Sequence, residues 1–225
     1  MGQWADANVP QSGGPGTPAR RWLRRLLPQR LRRVVQIGHD LGFRAGIIHL
    51  RQRWARACAG RRWSTVPSTA PVHSLVFVCH GNIIRSPFAA ALLRKQLAHR
   101  RAEIRVASAG LRARPAREAD PRARALAPQF GICLDDHRAT PLTPAMVEEN
   151  DLLLVMDYHN EAELLTRFPN ARGKVWLLRE YVEPAPKDAE IPDPYLGDEA
   201  DLRRVCQDLQ RCVEELARRL FAGDS

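Results

Sequence analysis

The sequence lacks any long apolar run. No stretch of its 225 residues approaches the roughly 18 consecutive apolar residues that a membrane-spanning helix needs. The first nineteen residues are polar and rich in Gly and Pro, so they also lack the basic-then-apolar layout of a secretory signal. Together these two absences favour a cytoplasmic protein.

Cysteine is scarce, and its spacing fits neither a disulfide framework nor a zinc site. The five cysteines include no Cys-x-x-Cys pair and no Cys/His cluster with the spacing of zinc ligands. An odd number of cysteines in a chain of this length does not resemble a set of structural disulfides. We therefore expect reduced thiols, one of which is a candidate nucleophile.

Acidic residues are rare in the first third of the chain. Residues 1–73 contain thirteen Arg and only two Asp, with no Lys or Glu, for a net charge of +11. The remaining residues carry 22 basic and 23 acidic side chains, a net charge of −1 that is typical of an ordinary soluble enzyme. The net charge of +10 for the whole chain therefore comes from an N-terminal extension.

This extension divides into segments of different composition. We interpret residues 1–19 as disordered, residues 20–63 as a basic amphipathic helical segment interrupted at Pro28, and residues 64–72 as a linker to a domain at 73–225. A basic, Trp-containing amphipathic helix favours peripheral contact with an anionic membrane surface. Docking of its apolar stripe on the rest of the chain is the second interpretation, and nonspecific nucleic-acid binding ranks below both.

From residue 74 onward, short apolar runs alternate with helical patterns. Strands are predicted at 74–78, 104–107, 152–156 and 175–178, and helices at 86–99, from 121, from Thr143-Pro144 and at 199–220. This alternation predicts an α/β fold, a parallel sheet with helices on both faces. Ligands of such sheets bind beyond the carboxyl ends of the strands. The sequence places the loop after Val78, the Ser108-Ala109-Gly110 corner and Asp157 at that edge.

The loop after Val78 joins a predicted buried strand to a predicted helix start. Its Cys-x₅-Arg spacing, from Cys79 to Arg85, is by itself weak evidence in a chain with 32 Arg. A helix N-terminus, however, favours both a bound anion and a thiolate, and Gly81 permits a close bend, with φ above zero open to it, that lets backbone N–H groups converge. The planar guanidinium of Arg85 suits two phosphoryl oxygens, and Ser86 can donate to the sulfur. The predicted phosphate-binding residues are His80, Gly81, Asn82, Ile83, Ile84, Arg85 and Ser86.

The same Cys-x₅-Arg spacing recurs from Cys212 to Arg218, and we interpret this second copy as structural. It lies within a predicted helix, contains two glutamates and has neither Gly nor a turn, so it cannot surround an anion. We expect Cys133 and Cys206 to be core thiols.

A thiolate that attacks phosphorus needs a proton donor for the departing oxygen. Asp193 lies between two prolines in the segment Ile-Pro-Asp-Pro-Tyr, on a loop able to close over the site. It is therefore the candidate general acid, beside the candidate nucleophile Cys79 and the candidate phosphate-binding Arg85.

Together these residues resemble the low-molecular-weight protein tyrosine phosphatase family. The loop of that family, usually Cys-x-Gly-Asn-Ile-Cys-Arg-Ser-Pro, is matched from Cys79 to Pro87 except at Ile84. The resemblance continues in the family's order to about residue 220. It is carried by Ser108-Ala109-Gly110, Ala119-Asp120-Pro121-Arg122-Ala123, His137-Arg138-Ala139, Val155-Met156-Asp157 and Asp193-Pro194-Tyr195.

The resemblance implies a four-stranded parallel sheet of flavodoxin-like winding in a three-layer sandwich, and a two-step mechanism with no metal or other cofactor. Cys79 would form a phosphocysteine while Asp193 protonates the leaving group, and Asp193 would then activate water. Asn82 and Ser108 would hold the loop, and Tyr195 would form a wall of a slot for phenyl phosphate. The implied substrate is a phosphotyrosine protein, and bacterial relatives often oppose membrane tyrosine autokinases.

Three positions depart from the family's pattern. Ile84 replaces a second Cys that in many members protects the nucleophile through a disulfide, Ala90 replaces a Glu, and Leu196 replaces a second Tyr. None of these departures removes a predicted catalytic group. His137-Arg138 and Asp120-Arg122 are interpreted as hydrogen-bonding scaffold.

Three alternative functions share this scaffold. Arsenate reductases need additional cysteines to resolve an enzyme–arsenic adduct, and none follows at the expected distance. Phosphoarginine phosphatases usually have Thr at the position of Ile83, where an apolar residue suits an aromatic substrate better. An inactive phospho-binding module is the third alternative, but the chain retains the full set of predicted chemical groups.

Overall fold

The computed structural model describes residues 42, 46–48, 50, 72–100, 103–182 and 189–221. The predicted disordered segment 1–19 lies outside these residues, as do nearly all of the predicted helical extension 20–63 and the predicted linker 64–72.

The described chain from residue 72 alternates strands and helices. The strands are β1 (Ser74–Cys79), β2 (Arg105–Gly110), β3 (Leu152–Val155) and β4 (Val175–Leu177). The α-helices are α1 (Arg85–Arg100), α2 (Pro121–Leu126), α3 (Pro144–Glu149), α4 (Tyr158–Arg167) and α5 (Glu199–Leu220). Short 3₁₀ turns occupy Ala127–Phe130, Pro169–Gly173 and Leu178–Tyr181.

The four strands form one parallel sheet in the order β2-β1-β3-β4. Every residue of β1 and β3 is buried, because helices cover both faces of the sheet. Along β1, Leu75 and Phe77 face one apolar cluster that includes α5, while Val76 and Val78 face a second cluster that includes α4. The predicted three-layer α/β architecture is confirmed.

The second strand is longer than the sequence predicts. It continues through Gly110 instead of ending at Ala107, because Ser108, Ala109 and Gly110 pair in register with the last three residues of β1. The predicted end of this strand was therefore wrong. The correction matters for function, since the register places Ser108 and Gly110 beside the start of the loop that follows β1.

Two of the helices, α3 and α4, begin with a clear side-chain cap. Thr143 accepts a hydrogen bond from the Met146 N–H at 3.2 Å and Pro144 occupies the first turn of α3, which confirms the predicted start. Helix α4 was not predicted; it is capped by Asp157, whose Oδ1 accepts from the Asn160 N–H at 2.7 Å.

One part of the extension lies against the domain. Ile48 is partly buried and packs on the cluster that contains Val76 and Val78, whereas Ile47 and Leu50 are 40% and 49% exposed. None of the helices among the described residues is both long enough and apolar enough to span a bilayer.

Candidate active site

The loop between β1 and α1 turns sharply at Asn82. Its φ of 52° lies in the left-handed region, which Asn tolerates better than most residues. The sequence left a positive φ open to Gly81, but the structure places it at Asn82, and Gly81 does not have a positive φ. A Cβ added to Gly81 would meet only the Ile83 side chain, at an ordinary 3.6 Å, so neither space nor conformation demands glycine there.

Asn82 braces the loop through its side chain. Its Nδ2 donates to Ser86 Oγ at 2.8 Å and to Ser108 Oγ at 3.0 Å, while its Oδ1 accepts from the Thr140 N–H at 2.9 Å. These bonds use both donors and satisfy the amide oxygen, so the amide orientation is fixed. Asn82 and Ser86 are fully buried and lie beneath the cavity rather than lining it.

His137 contacts the backbone of Asn82. Its Nε2 lies 2.7 Å from the Asn82 carbonyl, which can only accept, so Nε2 carries the proton. Burial lowers the pKa of His137 and outweighs the opposite effect of this hydrogen bond. The ring is therefore neutral at neutral pH and acts as a scaffold, in the role interpreted from the sequence.

The Cys79 sulfur, at the buried end of β1, receives two polar contacts. The Asn82 N–H donates to Sγ at 3.3 Å, and Ser86 Oγ lies 3.0 Å away. Ser86 Oγ already accepts from Asn82, so its own proton is available to the sulfur or to the Ala109 carbonyl at 3.2 Å. Both groups can therefore donate a hydrogen bond to the sulfur, and such bonds are strongest when the acceptor carries a negative charge.

Arg85 opens α1 and is almost fully buried. One amino group, NH1, donates to Asp157 Oδ2 at 2.6 Å and to the Ile191 carbonyl at 3.0 Å, and NH2 donates to Asp193 Oδ2 at 2.5 Å. Burial alone would lower the pKa of Arg85, but the two carboxylates raise it above its ordinary value. The buried guanidinium is therefore charged, and Asp157 anchors it, a role that the sequence did not predict.

The segment that carries Asp193 is tied to the rest of the domain by its neighbours. The Ile191 N–H donates to the Met156 carbonyl at 2.8 Å, and the Tyr195 N–H donates to Asp193 Oδ1 at 3.2 Å. Asp193 itself remains 44% exposed. The exposed part of this carboxylate is accessible both to a ligand in the site and to water.

Asp120 and Arg122 connect the segment that carries Asp193 to the loop between β1 and α1. The Asp120 N–H donates to the Ile83 carbonyl at 2.9 Å, while Arg122 donates to the carbonyls of Tyr195 and Gly197 at 3.0 and 2.9 Å. Burial would raise the pKa of Asp120, but its bonds with Arg122 lower it below the usual value. The Asp120–Arg122 ion pair therefore holds the two loops together, in agreement with its interpretation as a hydrogen-bonding scaffold.

A cavity of about 480 Å³ opens at this edge of the sheet. The predicted site residues that line it are Cys79, His80, Gly81, Ile83, Ile84, Arg85, Asp193 and Tyr195. Three further lining residues, Arg112, Arg114 and Arg117, were missed from the sequence. They follow the Gly110 corner that the sequence did place at the ligand edge.

The other three cysteines among the described residues lie away from the cavity. Cys206 and Cys212 are buried in α5, where burial raises each pKa to about 12, so the second Cys-x₅-Arg copy has an unreactive thiol. Cys133 is exposed, so the expectation that it is a core thiol was wrong. It lies between Ile132 and Leu134, which both point into the core and leave the intervening side chain facing solvent.

Comparison with known proteins decides the family. Residues 74–223 match the family described as low molecular weight phosphotyrosine protein phosphatase. The chain belongs to the low-molecular-weight protein tyrosine phosphatases. It is similar to the low molecular weight protein-tyrosine-phosphatase Etp of Escherichia coli, with 35% identity over 66% of this chain and 95% of Etp.

Two further relatives bear on specificity. The phosphatase is 32% identical to the protein-arginine-phosphatase of Bacillus subtilis, over 65% of this chain and 95% of that protein. Among solved structures it resembles the tyrosine phosphatase Wzb from Escherichia coli in complex with sulphate, with a TM-score of 0.60, 35% identity, and coverage of 66% of this chain and 99% of Wzb. Family membership therefore makes the protein a hydrolase. Whether its substrate is phosphotyrosine or phosphoarginine depends on the residues that line the site.

Proposed function

We propose that this phosphatase hydrolyses phosphotyrosine in proteins through a phosphocysteine intermediate. One observation supports this most strongly: Cys79 Sγ, held by the Asn82 N–H and Ser86 Oγ, shares a single cavity with Arg85 and Asp193. This set supplies a nucleophile, a cation for the phosphoryl oxygens and a proton donor, as a phosphoryl transfer requires.

In the first step the Cys79 thiolate attacks phosphorus. The S–P bond forms as the bond from phosphorus to the tyrosine oxygen breaks, and protonated Asp193 gives its proton to that oxygen. Arg85 holds two of the remaining phosphoryl oxygens, because its guanidinium presents parallel N–H donors. Asp157 and the Ile191 carbonyl keep NH1 of Arg85 in place during the transfer.

In the second step Asp193, now a carboxylate, takes a proton from water. The resulting nucleophile attacks phosphorus and the S–P bond breaks, which releases inorganic phosphate and returns the thiolate. Ser86 Oγ, 3.0 Å from Sγ, stabilises the departing sulfur by donating its proton as a hydrogen bond. The two steps together consume one water and regenerate the starting protonation states.

The lining of the cavity favours an aromatic substrate. Ile83 and Tyr195 present an apolar and an aromatic surface beside the nucleophile. A phenyl ring gains from burial against both, whereas a phosphoguanidinium carries polar N–H groups that Ile83 cannot satisfy. Phosphoarginine is the second candidate substrate, because the relative from Bacillus subtilis is named an arginine phosphatase.

Matched peptides that differ only in the phosphorylated residue test this choice. We expect the purified protein to release phosphate from the phosphotyrosine peptide with the higher kcat/KM. A higher kcat/KM for the phosphoarginine peptide would reverse the substrate assignment. Binding of both peptides without release of phosphate would identify an inactive phospho-binding module.

We also propose that the extension brings the enzyme to the inner face of a membrane, beside a membrane tyrosine kinase. Thirteen Arg in residues 1–73 support this, because each one near an anionic surface contributes on the order of 1 kcal/mol. The exposed side chains of Ile47 and Leu50 add apolar surface, while Ile48 packs on the domain. One stretch of chain can therefore contact both the domain and a lipid surface.

Sedimentation with vesicles measures this contact. We expect the full chain to pellet with vesicles that contain anionic lipid and to remain in the supernatant with neutral vesicles. A chain that starts at residue 73 should pellet with neither. The full-length variant Ile47→Gln/Leu50→Gln keeps every arginine and should bind more weakly. Equal pelleting of the full and shortened chains would contradict a membrane role and leave docking on the domain as the extension's function.

A further inference from the structure

Three arginines form one wall of the cavity that contains the nucleophile. Arg112, Arg114 and Arg117 lie on the loop that follows Gly110, and all three side chains are exposed. Phosphoryl transfer as described above uses Arg85 and not these residues. Their position on the wall of the cavity therefore indicates a function other than phosphoryl transfer.

The loop holds these side chains on a fixed backbone. At its start, the Leu111 and Arg112 N–H groups donate to the Cys79 and His80 carbonyls at 2.9 and 2.8 Å. At its end, the Ala139 N–H donates to the Arg117 carbonyl at 2.7 Å. The arginines thus belong to a segment whose backbone is bonded to the loop between β1 and α1, which we call the catalytic loop (residues 79–86). The backbone of these arginines is therefore held in place relative to the nucleophile.

A close approach at Gly110 strengthens this connection. A Cβ at that position would lie 2.9 Å from both the Asn82 nitrogen and the His80 carbonyl oxygen, closer than real Cβ atoms come. Glycine is therefore required there for the end of β2 to lie against the catalytic loop. The arginine-bearing loop begins at this contact point.

Among the described residues, acidic partners neutralise the positive charge of the wall only in part. Arg112 pairs with Glu163 at 2.7 Å, but Glu163 also binds Arg167, so one carboxylate is shared by two arginines. Arg114 forms no ion pair among the described residues, and the Arg117 guanidinium lies 6.0 Å above the Tyr195 ring. Asp193, the carboxylate that lines the cavity, is already bound to Arg85.

We propose that this wall selects substrates in which the target phosphotyrosine is flanked by acidic residues or by further phosphorylated residues. The proposal deepens the phosphotyrosine assignment and rests on it. Arginine forks bind carboxylates and phosphates alike, so both kinds of flanking group share the chemistry that the wall recognises. The domain from residue 74 carries a net charge of −1, so this local excess of positive charge guides an anionic segment to the cavity and not to the domain as a whole.

Three peptides with one target phosphotyrosine test the proposal. One has neutral flanking residues, one has glutamates in the flanking positions, and one has a second phosphotyrosine. The readout is the ratio of kcat/KM for each anionic peptide to that for the neutral peptide, measured within each variant. We expect a ratio of roughly 2 to 30 in the wild type, because exposed ion pairs to Arg114 and Arg117 each contribute a factor of roughly 1.4 to 5.4.

The double variant Arg114→Gln/Arg117→Gln should bring this ratio close to one. Arg172→Gln is the matched control, since Arg172 is also exposed but lies in the turn that precedes the amino end of β4, at the opposite edge of the sheet. It should keep the wild-type ratio. Salt at 1 M, where the screening length falls to about 3 Å, should reduce the wild-type ratio as the double variant does.

The outcomes distinguish failure of this proposal from failure of the phosphotyrosine assignment on which it rests. A wild-type ratio of one, with the neutral peptide still hydrolysed, would overturn the acidic specificity and leave the phosphotyrosine assignment standing. Hydrolysis of none of the three peptides would overturn both. Faster phosphate release from phosphoinositide vesicles than from any peptide would overturn a peptide partner in favour of a lipid headgroup.

Discussion

The variant Cys79→Ser is expected to lose phosphatase activity by a factor on the order of 10⁴ or more, since removal of the nucleophile of a catalytic unit has effects of this size. A serine hydroxyl is far less ionised than a thiol near neutral pH, so the contacts from Asn82 and Ser86 cannot turn it into an effective nucleophile. Initial rates of p-nitrophenol release from p-nitrophenyl phosphate measure the loss.

Cys133→Ser is the matched control for this experiment. It makes the same atomic change at an exposed thiol outside the cavity and should leave the rate unchanged. The thermal unfolding midpoints of both variants check that each is folded. Wild-type activity in Cys79→Ser would contradict the phosphocysteine mechanism.

Removal of the general acid should produce an effect that depends on the leaving group. In Asp193→Ala, hydrolysis of phenyl phosphate is expected to slow by about 10² to 10⁴, the usual range for proton transfer by a positioned side chain. The rate for p-nitrophenyl phosphate should fall much less, because nitrophenolate departs readily without a proton. The two esters are compared by kcat/KM, which reports the steps up to the phosphocysteine and therefore separates proton donation to the leaving group from the later attack of water.

Asp136→Ala is a suitable control, since Asp136 is an exposed carboxylate that does not line the cavity. It should change neither rate. If Asp193→Ala slowed both esters equally, the carboxylate would act by holding Arg85 and not by giving a proton, and the acid would have to be sought elsewhere. The hydrogen bond between Arg85 and Asp193 makes this second outcome a real alternative.

Much of the fold follows from the apolar pattern of the sequence. The strand at residues 74–79 is buried on both faces and therefore appears as a continuous apolar run, which made it easy to predict. Helix α4 was missed because its buried face includes polar side chains such as Asn160 and Glu163. The sequence therefore shows no clear apolar periodicity that would indicate a helix there. Its only clear signal is the cap at Asp157.

The candidate site was predictable where local chemistry is distinctive and less so where packing decides. Cys79, Arg85 and Asp193 meet in one cavity as the motifs implied. Asp157 has two roles, since one carboxylate oxygen caps α4 and the other binds Arg85, and only the fold could show the second. Arg114 and its neighbours gave no signal, because exposed arginines are common in a chain with 32 of them.

The hydrogen bonds that hold the arginine-bearing loop belong to the main chain: those of Leu111 and Arg112 attach it to the catalytic loop, and that of Ala139 holds its other end. Substitution of the side chains at 112, 114 and 117 leaves those bonds in place. Duplicated copies of such a gene can accordingly diverge in the proteins that they recognise while their chemistry is inherited unchanged. Over evolutionary time, the choice of substrate can change faster than the reaction itself.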